Sequence, residues 1–152
     1  MITVEEFMTA EPWSMRETDT INDARQIMTE KHIRHIPVTD SDNHLLGLVT
    51  QRDILAATDP GVLTKKDSTS NAAGTEVNLS AIMIRNVSVI SRTDSLRTAA
   101  MCLQSHKYGC LPVMADDRLV GIITDSDFID IAINLIEQAE INEEELGADN
   151  AI

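Results

Sequence analysis

Residues 36–53 read IPVTDSDNHLLGLVTQRD, and residues 111–127 read LPVMADDRLVGIITDSD. Each stretch opens on an apolar residue followed by Pro-Val, crosses a polar turn, and runs through an apolar segment interrupted by Gly. Each ends on Thr-x-x-Asp. Asp, Asn and Ser favour tight turns, so each stretch reads as two short strands joined by a turn. The strands are expected at residues 36–39 and 46–50, and again at 111–114 and 119–124. Pro37-Val38 meets Pro112-Val113 at an offset of 75, and the second turn is one residue shorter. Beyond it, at an offset of 74, Leu45 meets Leu119, Gly47 meets Gly121, Thr50 meets Thr124 and Asp53 meets Asp127.

The match extends outward on both sides. Met8 meets Met83, Thr18-Asp19 meets Thr93-Asp94, Ile21 meets Leu96, Ala24 meets Ala99 and Ile36 meets Leu111. A first strand is expected near residues 13–15 and 87–90. Thr18-Asp19-Thr20 and Thr93-Asp94-Ser95 then offer side-chain oxygens that cap a helix start. Leu96, Ala99, Ala100 and Leu103 form a helical stripe, as do Ile21, Ala24, Ile27 and Met28. Pro37 and Pro112 lack an amide donor, which assigns each to a strand start or edge. Thr50 and Thr124 cap a second helix in each copy. The fold class is therefore α/β, of the α+β kind: two tandem β-α-β-β-α repeats. A single copy buries too little surface to stand alone, so the two pack through their sheets. The organisation is repeat 1 at residues 1–58, a polar linker at 59–78, repeat 2 at 79–136 and an acidic tail at 137–152. The helix opening at Thr124 is expected to run to about Ile136.

Composition narrows the function classes. Hydrophobic residues make up 43% but aromatics only 3%, so the core rests on aliphatic residues, with seven Met as gap-fillers. The net charge is -13, from 12 Lys and Arg against 25 Asp and Glu, with no long basic run; this disfavours binding to duplex nucleic acid. No apolar run reaches the ~20 residues of a membrane span. Glu5 and Glu6 interrupt any signal-like start. Two cysteines, Cys102 and Cys110, make no disulfide framework, which points to the cytoplasm and reduced thiols. Cys102 belongs to the apolar helix; Cys110 reads as core or as a cleft thiol. His32 and His35 lack the further ligands of a tetrahedral metal site. No phosphate loop, nucleophile elbow or catalytic triad is present, so the chain does not read as an enzyme.

The phrases IMTEKHIRHIPVTD…LLGLVTQRDI and CLQSHKYGCLPVMAD…RLVGIITDSDF, with the opening FMTAEPWSM, resemble the CBS domain, named for cystathionine β-synthase. The resemblance covers residues 4–58 and 79–136. It implies a stand-alone regulatory pair with pseudo-twofold symmetry and two clefts. Its ligand would be an adenine nucleotide (AMP, ADP, ATP or a related adenosyl compound), with no obligatory cofactor. A homodimer that signals to a regulated protein partner by a change of shape is also implied. The alternative is a dimerisation or interaction module that needs no ligand.

The candidate site follows from chemistry and resemblance together. Thr50 with Asp53, and Thr124 with Asp127, open helices whose free N–H groups and dipole suit a phosphate. The resemblance gives Thr to phosphate and Asp to ribose; the same spacing is also a capping arrangement, and one Thr can do both. Arg34 and His35 precede Ile36 in an otherwise acidic chain. The resemblance sends them to phosphate, which suits the planar fork of Arg; the alternative is a solvated helix end. In repeat 2 the matching residues are Gly109 and Cys110, so the two clefts are expected to be unequal. Ile36, Leu111, Met15 and Val89 are the positions assigned to adenine, or else to plain core.

Overall fold

The computed structural model describes residues 1–58, 77–107 and 109–149. The expected linker, residues 59–78, lies outside these except for its last two positions. Helix α1 (Ile21–Lys31) starts where a reciprocal cap holds it: Thr20 Oγ1 accepts from the Asp23 N–H at 3.2 Å, and Asp23 Oδ2 accepts from the Thr20 N–H at 3.1 Å. It buries Ile21, Ala24 and Met28, and ends at His32, which adopts φ 55° and donates its N–H to the Met28 carbonyl. Helix α3 (Leu96–Ser105) has one half of this cap, with Ser95 accepting from the Thr98 N–H at 3.0 Å, and buries Leu96, Ala99 and Leu103.

The hairpins stand where the turns place them. Strands β2 (His35–Thr39) and β3 (Leu45–Thr50) pair antiparallel, as do β5 (Cys110–Ala115) and β6 (Arg118–Thr124). The second turn is Asp116-Asp117, with φ of 50° and 63°, the two left-handed residues of a type I′ turn. Helix α2 (Gln51–Thr58) follows β3 and helix α4 (Asp125–Asp149) follows β6. Helix α4 passes the expected end at Ile136 and carries the acidic segment as helix to Asp149. No described helix is long and apolar enough to cross a membrane.

Three expectations change. Residues 13–15 form no strand of their own. Glu11 takes φ 49°, Pro12 has no donor, and a single parallel bridge from Met15 to Val38 remains. Strand β1 is earlier, at Thr9–Ala10, and β4 is Ile90–Ser91. Pro37 lies in an edge strand, as expected, since β2 belongs to a two-stranded sheet, and Pro112 alone departs from the expected start or edge. Pro37 aims its carbonyl away from β3, where it accepts from the Met15 N–H at 3.0 Å. The amide nitrogen of a strand residue points the same way as its carbonyl, so the missing donor falls outside the β2–β3 ladder. Pro112 sits in an inner strand, beside the end of β4, whose pairing starts at Val113.

The pairing registers reveal the pseudo-twofold. Met15–Val38 recurs as Ile90–Val113, and Leu48–Ile84 recurs as Ile122–Thr9. In the second relation the partners come from different repeats. Strand β1 of the first repeat joins β6 of the second, and Ile84 of the second repeat joins β3 of the first. The lead-in segments are thus exchanged. Val4, fully buried in a 3-10 turn (Val4–Glu6), packs in the second repeat's core with Leu96, Leu111 and Ile123. Leu79 and Met83, from the turn at Leu79–Ala81 and just after it, pack in the first repeat's core with Ile21, Ile36 and Val38. The two β3/β6 glycines allow this. A Cβ on Gly47 would lie 2.8 Å from the Ile84 carbonyl oxygen and 2.8 Å from the Met83 sulfur. A Cβ on Gly121 would meet the Met8 side chain and the Thr9 carbonyl oxygen in the same way. Leu48, Cys110 and Ile122 form a third buried cluster where the repeats meet.

Candidate functional site

The hairpin ends and helix starts of both repeats converge on two cavities. One, of about 410 Å³, is lined by Thr50, Gln51, Arg52 and Asp53, with Ile84, Lys107, Gly109 and Asp125 from the second repeat. The other, of about 330 Å³, is lined by Thr124, Ser126, Asp127 and Ile122, with Pro12, Trp13, His32 and Ile33 from the first. We call them the Asp53 cavity and the Asp127 cavity. Arg34 and His35 line both. Both volumes fall in the ~300–1,000 Å³ range of small-molecule sites.

Each Thr-x-x-Asp forms a closed capping unit. Asp53 Oδ2 accepts from the Thr50 N–H at 3.0 Å and from Thr50 Oγ1 at 2.8 Å, and Thr50 Oγ1 accepts from the Asp53 N–H at 3.2 Å. At Asp127 Oδ2 the corresponding bonds from Thr124 are 2.8 and 3.3 Å, with 3.4 Å for the return bond. The capping arrangement is therefore present at both sites. It uses two of the roughly four acceptor positions of each carboxylate, so each Asp keeps capacity for hydroxyl donors. Strand-to-helix backbone bonds hold the units in place: the Gln51 N–H donates to the Arg34 carbonyl at 2.9 Å, and the Asp125 N–H to the Gly109 carbonyl at 3.1 Å.

These matching bonds show that Gly109 occupies the place of Arg34. Gly109 adopts φ 65°, and a Cβ there would lie 2.5 Å from an Asp125 carboxylate oxygen. In the second repeat the Asp125 carboxylate thus fills the space that a side chain at the Arg34 position would need. Arg34 is exposed and donates from Nη2 to Ser126 Oγ at 3.2 Å, reaching the start of α4. His35 is half-buried. Lys31, at the end of α1, lies over the Trp13 ring at 4.8 Å from its centroid.

The residues assigned to adenine separate from the cavities. Ile36 and Leu111 are fully buried and Met15 is 6% exposed; all three belong to the repeat cores. Ile36 and Leu111 pack with helix residues because β2 and β5 turn those side chains inward, and Met15 joins the first core from its bridge to Val38. Val89 is 47% exposed and lines neither cavity. The apolar walls come instead from Pro12, Trp13, Ile33 and Ile122 in one cavity and Ile84 in the other. The sequence places Trp13 only in an expected strand; a lone Trp next to Pro is the signal it offers. Cys110 is buried core, and burial, then the charges of Asp125 and Asp127, push its thiol well above the usual range. Asp40, Asp42 and His44 are the His and carboxylate groups near enough to converge on an ion among the described residues. They lie on the exposed first turn, where Asp40 already accepts from the N–H groups of Asp42 and His44 at 2.9 Å each.

The CBS domain family profile matches residues 4–59 and 79–134. The chain belongs to the CBS domain family. Among solved structures, a candidate acetoin utilization protein (AcuB) from Vibrio cholerae is 44% identical, with a TM-score of 0.76 over 92% of this chain and 96% of its own. The complex of CBSX2 with AMP, a protein of Arabidopsis thaliana, is 26% identical, with a TM-score of 0.73 over 89% of this chain and 98% of that one. A homoserine O-acetyltransferase of Methanocorpusculum labreanum is 35% identical over 124 residues, 81% of this chain. The chain spans only 23% of that enzyme's length.

Proposed function

We propose that the CBS pair is a ligand-sensing regulatory module that binds an adenine nucleotide or related adenosyl compound between its repeats and signals to a protein partner by a change of shape. The observation that carries this is the convergence, in each cavity, of a Thr-x-x-Asp helix start from one repeat with apolar or basic residues from the other. A ligand there touches both repeats at once, so its binding energy depends on their relative position. The Asp carboxylates suit ribose hydroxyls, the helix starts and Arg34 suit phosphate, and the apolar walls suit a base. The AMP complex of CBSX2 supports the ligand class. No residue set for catalysis is needed in this reading.

The test is thermal melting of nucleotide-stripped protein with AMP, ADP, ATP, GTP, NAD and S-adenosylmethionine. A ligand that binds only the native state at one hundred times its Kd adds about 2.7 kcal/mol of stability. A raised midpoint with an adenine compound, lost in a double Asp53→Ala, Asp127→Ala variant, supports the module. No shift across the panel rejects it.

A second reading, dimerisation without ligand, is favoured by α4. Ile129, Ile133 and Ile136, at i, i+4 and i+7 of the helix, are 59%, 48% and 57% exposed, an apolar face that a second copy would cover. Sedimentation at micromolar concentration tests it. A dimer split by Ile133→Glu supports this face; a monomer rejects it.

A further inference from the structure

The two cavities share one guanidinium and otherwise differ in charge. The Asp53 cavity has two permanent cations of its own, Arg52 and Lys107, against the carboxylates of Asp53 and Asp125. Among the described residues, the wall of the Asp127 cavity has no lysine or arginine except Arg34, Lys31 lying over the ring of its Trp13, and it carries the carboxylates of Asp127 and Glu11. The cause lies in the repeat itself: Arg52 is matched by Ser126, and Arg34 by Gly109. The remaining groups are the imidazoles of His35, in both cavities, and His32, in the Asp127 cavity.

On the adenine-nucleotide reading, we propose that a phosphate-bearing ligand takes the Asp53 cavity alone, drawing Arg34 off Ser126, while the Asp127 cavity serves an adenosyl group without phosphate. A phosphate in the Asp53 cavity meets Arg34, Arg52 and Lys107. In the Asp127 cavity the wall offers it Arg34 alone, against two carboxylates, and Lys31 is engaged on the Trp13 ring. One guanidinium cannot grip a phosphate in both cavities, so a second phosphorylated ligand is disfavoured. Releasing the Arg34–Ser126 bond removes the first repeat's side-chain tie to the start of α4, which links occupancy of one cavity to the helix of the other repeat. The Asp127 cavity instead offers the Trp13 indole, whose place in repeat 2 is taken by Ser88. An indole face supports a stacked base irrespective of phosphate.

Trp13 is the sole tryptophan, and it lines the Asp127 cavity and not the other, so its emission reports where a ligand sits. The experiment is calorimetric titration of the full chain with AMP and with adenosine, recording Trp emission in parallel. AMP is expected to bind once per chain without moving the emission. Its affinity falls about tenfold or more in Arg34→Gln, in Asp53→Asn and in the double Arg52→Gln, Lys107→Gln variant, the loss of charge-assisted hydrogen bonds. In Asp127→Asn it changes less than about threefold, within the range of an indirect effect. Asn is chosen because it retains capping and so keeps the fold. Adenosine is expected to shift the emission and to ignore Arg34→Gln. An AMP step that moves Trp13 emission and weakens in Asp127→Asn overturns the inference while leaving the nucleotide reading intact. So do two equal AMP steps per chain. No heat from either ligand overturns both.

Discussion

The two cavities are built from the same repeat and end as different sites. Their backbones agree: each helix start is tied by the same bond to the residue that enters its hairpin, and each Asp closes the same cap on its Thr. Their side chains disagree at a few matched positions, Arg34 with Gly109, Arg52 with Ser126, and Trp13 with Ser88. Duplication of a fold thus copies the scaffold of a site, and single substitutions then set what the site holds. Groups that cap, turn or pack are kept in both copies because both copies must fold. Groups that only face the cavity are free to differ.

The largest expected effects test the part that is shared. Ile36→Ala and Leu111→Ala each remove a fully buried side chain at matched positions. Each is expected to cost about 2–5 kcal/mol in urea denaturation, similarly in the two repeats. Nucleotide affinity of the folded fraction should stay unchanged. A variant that keeps its stability but loses affinity would return that residue to the cavity wall.

Next in size are the glycines under the exchanged segments. Gly47→Val and Gly121→Val place side-chain atoms where the opposite repeat's lead-in must lie. Overpacking of this kind costs about 1–3 kcal/mol. Limited proteolysis should cut near residues 77–84 in the first variant and near residues 3–10 in the second. Cleavage at the same place in both would break the pseudo-twofold account of the exchange.

Gly109 tests where the copies part. Gly109→Ala combines a left-handed backbone with a contact on Asp125, so a loss of about 1–3 kcal/mol is expected. Adding Asp125→Ala should recover part of it, since only the contact is relieved. Arg34→Ala, on the exposed matching position, should stay within about 0.5 kcal/mol. Equal losses at 34 and 109 would remove the structural reason for the asymmetry.

The smallest effect is a pH dependence from Cys110, whose matched residue is His35. The folded thiol holds its proton above the pH at which the unfolded thiol, with a pKa of about 8.5, releases it. Its contribution to stability is therefore complete below that pH and is lost as pH rises. At pH 9 the loss is under about 1 kcal/mol. Denaturant titrations from pH 7.5 to 9.5 should show the decline, and Cys110→Val should flatten it. A decline that survives in Cys110→Val assigns it to another group.

Much of this molecule was written in local patterns. Thr20, Ser95, Thr50 and Thr124 announced helix starts because a capping oxygen acts within three residues. Asp40 to His44 and Asp116-Asp117 announced hairpins because turn geometry is set by the residues in the turn. The repeat was legible because two copies carry the same signals at one spacing, and with it came the CBS resemblance and the Thr-x-x-Asp pairs. What the tertiary structure alone decided was which distant pieces meet. The exchange of residues 3–10 and 77–84 depends on pairings far apart in the chain, such as Thr9 with Ile122, which leave no local period. Its trace was present in Met8, Met83, Gly47 and Gly121, since a glycine inside an apolar strand marks a close backbone approach. Likewise Arg34 looked like one repeat's cation, and only the packing of β2 beside the start of α4 set it between two cavities. Ile36 and Leu111 looked equally suited to core or base, because an apolar residue records that it avoids water and not which apolar surface it meets.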